Sequence, residues 1–152
     1  MKNLVLLIIL VLVSTATDYK IHVYENLEWV TDYAAALKKA KKENKALLLN
    51  FTGSDWCGWC VRLDREVFSQ SAFVAYAQKN LVCVKLDFPQ KKQLPAAEQE
   101  QNMTLMRKYG VRGFPTIYLL NASEETVLKT GYRSGGAQAY ISHLEAALEA
   151  KN

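Results

Sequence analysis

Two cysteines three residues apart, Cys57 and Cys60, stand between an apolar run and a segment of helical period, and this arrangement constrains the fold most. Ala46 to Phe51 is short and apolar and is bounded by Thr52-Gly53-Ser54-Asp55, the pattern of a buried strand followed by a loop. From Cys60 onward apolar positions recur at 60, 63 and 67, which predicts a helix opened by Cys57-Gly58-Trp59-Cys60. Unsatisfied N–H groups and the macrodipole at a helix N-terminus favour negative charge there. A thiolate at Cys57 is therefore stabilised, and its pKa is expected below that of a free thiol. Cys60 lies one turn on, where it can attack a mixed disulfide formed on Cys57. Other uses of the pair fit less well. Zinc needs two more ligands, and only Cys83, His22, His143 and carboxylates remain, none in a second paired motif. A c-type haem needs histidine after the second cysteine, where Val61 stands. A purely structural disulfide across so small a loop would add little stability.

The N-terminus has a different character. Lys2 precedes an unbroken run of ten Leu, Val and Ile residues from Leu4 to Val13, and Ser14-Thr15-Ala16 follows. That is the layout of a secretory signal peptide over residues 1–16. Read instead as a membrane anchor, the run falls short of the ~20 residues a spanning helix needs. Residues 17–28 then form an N-terminal arm, with a short alternating strand from Thr17 to Asn26, and 29–152 one domain. Half the residues are hydrophobic, enough for a core that does not rely on disulfides. The formal charge is +4, and loss of Lys2 leaves a weak positive excess without a basic stripe. Lys38, Lys39, Lys41, Lys42 and Lys45 interleave with apolar positions and read as a solvated helix side, so neither nucleic acid nor membrane binding is expected. Cys83, in the run Leu81 to Val84, is expected to be a buried inert thiol.

Along the chain, Trp29 to Glu43 has helical period, with apolar residues at 30, 33, 34, 37 and 40. A helix capped by Ser71 carries Phe73, Tyr76 and Ala77, and Leu81 to Phe88 is a second buried strand. Pro89 to Pro95 is a polar loop, and Ala96 to Tyr109 is helical up to Gly110. Thr116 to Leu120 and Thr126 to Gly131 pair as a hairpin, and Ser134 caps a final helix. Met103 and Met106 are expected in the core, with Trp29, Tyr33 and Tyr140 as packing residues. Strands alternating with helices imply an α/β domain, a mixed sheet covered on both faces.

Trp56-Cys57-Gly58-Trp59-Cys60 resembles the Trp-Cys-x-x-Cys signature of the thioredoxin superfamily, and Val111-Arg112-Gly113-Phe114-Pro115-Thr116 resembles its second signature. Val84-Lys85-Leu86-Asp87 and Gly131 fall where that family has its central strand and a later glycine, and the match runs from about residue 29 to 150. The phrases Phe51 to Cys57 and Leu63 to Phe68 are similar to periplasmic thioredoxin-like proteins of Gram-negative bacteria and to the C-terminal domain of the inner-membrane thiol-reductant transporter. The resemblance implies a thioredoxin fold and a redox-active Cys57–Cys60 disulfide. It also implies a cis bond before Pro115 and a substrate-binding rim of Trp56, Gly58, Trp59, Phe114 and Pro115, with Lys85 beside the reactive centre. Three positions depart from the pattern. Asn50 stands near the place of a buried acid that accepts the resolving cysteine's proton, Trp59 replaces a proline, and Arg65 replaces a helix-kinking proline. Arg65 predicts a straight, short active-site helix that breaks near Ser69.

The expected activity is thiol–disulfide exchange with protein substrates outside the cytoplasm, without a cofactor. The mature protein is expected to be soluble and to trade electrons with a membrane thiol donor or acceptor. The resemblance tilts the direction toward reduction over oxidation or isomerisation. A redox-inert polypeptide-binding module on the same fold, or metal handling by the two cysteines, would be the competing functions.

Overall fold

The computed structural model describes residues 26–150, so the leader expected at 1–16 and most of the 17–28 arm lie outside the described residues. The chain runs β1 (Trp29–Val30), α1 (Tyr33–Glu43), β2 (Ala46–Thr52), α2 (Gly58–Leu63), a π-helical turn (Asp64–Phe68), α3 (Ser71–Asn80) and β3 (Leu81–Asp87). It continues through α4 (Ala96–Lys108), β4 (Thr116–Leu120), β5 (Thr126–Thr130) and α5 (Gly136–Glu149). The five strands form one mixed sheet in the order β1-β3-β2-β4-β5. β3 lies parallel to β1 and β2, whereas β4 runs antiparallel to β2 and β5 to β4.

Side chains alternate across the sheet, and each face has its own apolar layer. Leu48, Cys83, Ile117 and Leu119 meet Leu63, Val67, Phe68, Phe73, Tyr140 and Leu144 from α2, the π-helical turn, α3 and α5. Leu47, Leu49, Val82, Val84 and Leu86 meet Ala36, Ala40 and Leu105 from α1 and α4. Burial on both faces is why β2 and β3 read as continuous apolar runs. This is the expected thioredoxin fold, with helices on both sides of the sheet.

Several expectations are corrected at element ends. Trp29 and Val30 are not helical; they pair with Cys83 and Val84 as a short edge strand. The helix starts later because the Asp32 carboxylate accepts the Ala35 N–H at 2.9 Å and caps it. Gln70 occupies the cap position of α3, so Ser71 is its first residue. Ser134 does not cap α5, which begins after Gly135 in a left-handed turn (φ 108°). Met103 is 46% exposed on α4, while Met106 packs against the core. Arg65 does not give a straight helix: α2 passes into a π-helical turn, and the break follows at Ser69 and Gln70.

Candidate active site

The reactive pair is built from the C-terminal end of β2 outward. β2 ends at Thr52, and a turn closed by the Cys57 N–H donating to the Gly53 carbonyl (2.9 Å) delivers the chain to α2. Cys57 occupies the cap position of α2, and its Sγ accepts the Cys60 N–H at 3.2 Å. Cys57 and Cys60 are joined by a disulfide and are nearly buried, 7% and 5% exposed. When the bond is reduced, the same amide and helix end stabilise a Cys57 thiolate.

Around this sulfur pair stands an aromatic rim. Trp56 and Trp59 are 42% and 56% exposed, and Val61 is exposed beside them. The Trp56 indole N–H donates to the Phe88 carbonyl at 2.8 Å, and its ring meets Phe114 edge-on at 5.9 Å. Phe114 in turn stacks on Phe88 at 5.0 Å. The Phe114–Pro115 bond is cis, as expected, and the Trp56 contact brings it to the Cys57 side of the rim. Gly131 packs close here: a Cβ at that position would sit 3.0 Å from the Pro115 carbonyl oxygen, tighter than most side-chain contacts. Gly58 is different: a Cβ there would meet nothing within 4 Å, so the first residue of α2 faces open space next to Cys57.

Asn50 and Lys85 are register partners on β2 and β3, on the face that carries α2. They line a cavity of about 180 Å³ under the active-site helix together with Cys60, Asp64, Thr52 and Ser54. Asp87, one strand turn further along β3, accepts the Ser54 N–H (3.0 Å) and hydroxyl (2.6 Å) and pairs with Lys92 at 3.1 Å. Burial raises its pKa, but the Ser54 donors and the Lys92 ammonium outweigh that and hold the carboxyl below its ordinary value. Cys83 is buried, and desolvation pushes its thiol up to about 12.

All nine candidate residues therefore gather at one end of the sheet: Cys57 and Cys60 form the disulfide, Asn50 and Lys85 line the cavity beside it, and Trp56, Gly58, Trp59, Phe114 and Pro115 surround it. The sequence reading missed a second layer. Arg62 lies over the Trp59 and Tyr132 rings (5.4 and 5.1 Å), while Glu66 holds both Arg62 (2.8 Å) and the Tyr132 hydroxyl (2.7 Å). The Arg62–Glu66 spacing of four was legible as a helical pair. Tyr132 reaches the same group only through the fold. Asp55 was missed too; its carboxylate accepts the Gln90 and Lys91 N–H groups at 2.9 and 2.8 Å and ties the next loop to the active-site turn.

A disulfide at a helix N-terminus, set on this sheet with a cis-proline at its rim, defines a thiol–disulfide oxidoreductase. The chain belongs to the thioredoxin-like domain family, whose family model matches residues 33–147. It is 37% identical over 124 residues to the disulfide bond reductase DsbH of Chlamydia pneumoniae, covering 82% of this chain and 74% of that one. The thioredoxin-related protein DsbJ of the same organism is 30% identical over 107 residues, 70% of this chain and 31% of its own length. A solved structure of a DsbH oxidoreductase superposes with a TM-score of 0.78 over 82% of this chain and 86% of that one, at 37% identity.

Proposed function

We propose that the chain reduces disulfides in protein substrates outside the cytoplasm, with Cys57 as attacking thiol and Cys60 as resolving thiol. The Cys57 Sγ at the α2 cap, accepting the Cys60 N–H, carries this reading. In the dithiol form the Cys57 thiolate attacks a substrate disulfide, leaving a mixed disulfide and one free substrate thiol. Cys60 then attacks the Cys57 sulfur, the protein disulfide forms, and the second substrate thiol departs. Each turnover leaves the pair oxidised, so a thiol donor at the membrane has to reduce it again.

Trp56, Trp59 and Phe114 offer apolar surface to an extended segment around the target disulfide, and the free space at Gly58 leaves room for that segment beside Cys57. The leader-like residues 1–16 support export, and the likeness to a protein named a disulfide bond reductase supports the direction. Among the described residues no helix is long and apolar enough to cross a membrane.

Equilibration of the Cys57/Cys60 pair against glutathione buffers tests the direction. A reductase is expected near the reducing end of this fold's range, about −270 mV, and a value near −120 mV would make it an oxidase. Insulin reduction by dithiothreitol tests the activity itself: the protein should accelerate it and Cys57→Ser should not. Equal rates with both would favour the polypeptide-binding module.

A further inference from the structure

Resolution requires Cys60 to lose a proton while it is nearly buried, 5% exposed, and the structure shows where that proton can go. Cys60 itself lines the cavity of about 180 Å³, which has room for several waters where roughly 10–15 Å³ suffices for one. The Asn50 side chain lines it, is 6% exposed, and its Oδ1 has no hydrogen-bond partner within the protein. A buried amide oxygen without a donor is costly, and water in a cavity with polar walls supplies one.

The charged groups around the cavity are few. Lys85 enters from β3 and is in none of the ion pairs among the described residues. Asp64 enters from the π-helical turn, four residues after Cys60 and so on the same side of the helix. Its Oδ2 accepts the Ser69 hydroxyl at 3.0 Å. Asp87 reaches the cavity wall only through Ser54, and its carboxylate is already engaged by Ser54 and Lys92. Asn50 itself cannot take a proton at neutral pH.

We propose that water held in this cavity by Asn50 Oδ1 carries the Cys60 proton to the Asp64 carboxylate during resolution, with the Lys85 ammonium facing the thiolate that remains. The proposal rests on the redox reading given above. The Cys60 S–H bond breaks and its proton passes through water to Asp64. The sulfur electron pair forms the Cys60–Cys57 bond, the Cys57–substrate bond breaks, and the substrate sulfur leaves as a thiolate that is protonated by solvent. The substrate gains two electrons and the cysteine pair loses two. Asn50 is a positioning residue in this scheme, and the bond from the Asp64 N–H to the Cys60 carbonyl at the end of α2 sets Asp64 one turn from Cys60, beside the cavity.

Stopped-flow mixing of the reduced protein with one equivalent of 5,5′-dithiobis(2-nitrobenzoate) separates the two chemical steps. Thionitrobenzoate released by Cys57 attack forms a first phase, and that released by Cys60 resolution a second. Loss of the positioned acceptor leaves the proton to bulk water, so Asp64→Asn should slow the second phase about tenfold at neutral pH. That is below the usual worth of a general base because the cavity still holds water. The midpoint of its pH profile should rise while the first phase is unchanged. Asn50→Leu should do likewise, and Asn50→Asp added to Asp64→Asn should restore the second phase by placing a carboxylate in the cavity. Asp64 is exposed, so Asp64→Asn leaves the fold intact and can be read directly. An unchanged second phase and pH profile in Asp64→Asn would overturn the relay, as would equal slowing of both phases. A wild-type protein that shows no first phase would overturn the redox reading instead.

Discussion

Gly53 closes the active-site turn and has no room for a side chain, because a Cβ there would lie 2.5 Å from the Trp56 ring. That ring is anchored by its bond to the Phe88 carbonyl and its contact with Phe114, so it cannot swing aside without losing both. Gly53→Ala should cost about 1–3 kcal/mol, the sum of one hydrogen bond and one aromatic pair. Urea unfolding followed by tryptophan fluorescence would measure it, and a stability equal to wild type would show that the ring is not fixed. Cys83 illustrates the opposite case, a nucleophile silenced by its surroundings. With its thiol pushed up to about 12 inside the core, it should resist iodoacetamide in the folded protein at pH 8. Mass spectrometry should find it alkylated only after denaturation.

At the scale of elements, the site depends on how loops are tied to the sheet. The loop after β3 is held to the active-site turn by the Asp55 carboxylate. The Gln90 N–H, and after it that of Lys91, draw this carboxyl below its ordinary value. Lys91 and Lys92 are already exposed, so Asp55→Ala, which removes both acceptors, should loosen the loop and make tryptic cleavage there faster than in wild type at equal protease. Unchanged cleavage would mean that the loop is fixed by other contacts. The same element carries Phe88, the floor on which Phe114 and Trp56 rest, so loosening it should also weaken substrate capture. On the other side of the disulfide, Glu66 binds Arg62 and Tyr132 and so orients Trp59 from α2, the π-helical turn and the segment after β5 at once. The spacing of Arg62 and Glu66 was visible in the chain, but the π-helical turn was not. Val67 and Phe68 of that turn are buried in the same core cluster as Tyr140 and Leu144 of α5, contacts between distant segments that no local propensity records.

For the whole molecule, the layered sheet explains the response to acid. Asp87 is nearly buried and its carboxyl is held below the ordinary value of about 4 by Ser54 and Lys92, against the opposing effect of burial. A depressed carboxyl stabilises the fold fully above its unfolded value, and that stability is lost as pH falls through the folded one. Asp87→Asn should therefore be less stable at pH 7 by about 1.5–3 kcal/mol, the usual worth of hydrogen bonds to a charged group. Thermal unfolding should show the difference shrinking toward pH 3, and a gap independent of pH would assign it to packing alone.

What the chain determined by itself was the chemistry and the frame. An apolar run, a short turn and Cys57-Gly58-Trp59-Cys60 opening a helix dictate a reactive thiol at a helix end, because those effects act over a few residues. Apolar period and length likewise marked β2, β3, α4 and the β4–β5 hairpin. Element starts were less legible, since caps such as Asp32 and the turn at Gly135 compete with neighbouring signals over one or two residues. Only the tertiary structure decided that Asn50, Lys85 and Asp64 share a cavity with Cys60, and that Tyr132 and Phe88 support the two tryptophans. Those groups come from separate strands, turns and helices. Their meeting depends on sheet register and on how α2 and the π-helical turn seat on the sheet, which packing of the assembled layers sets and sequence spacing does not.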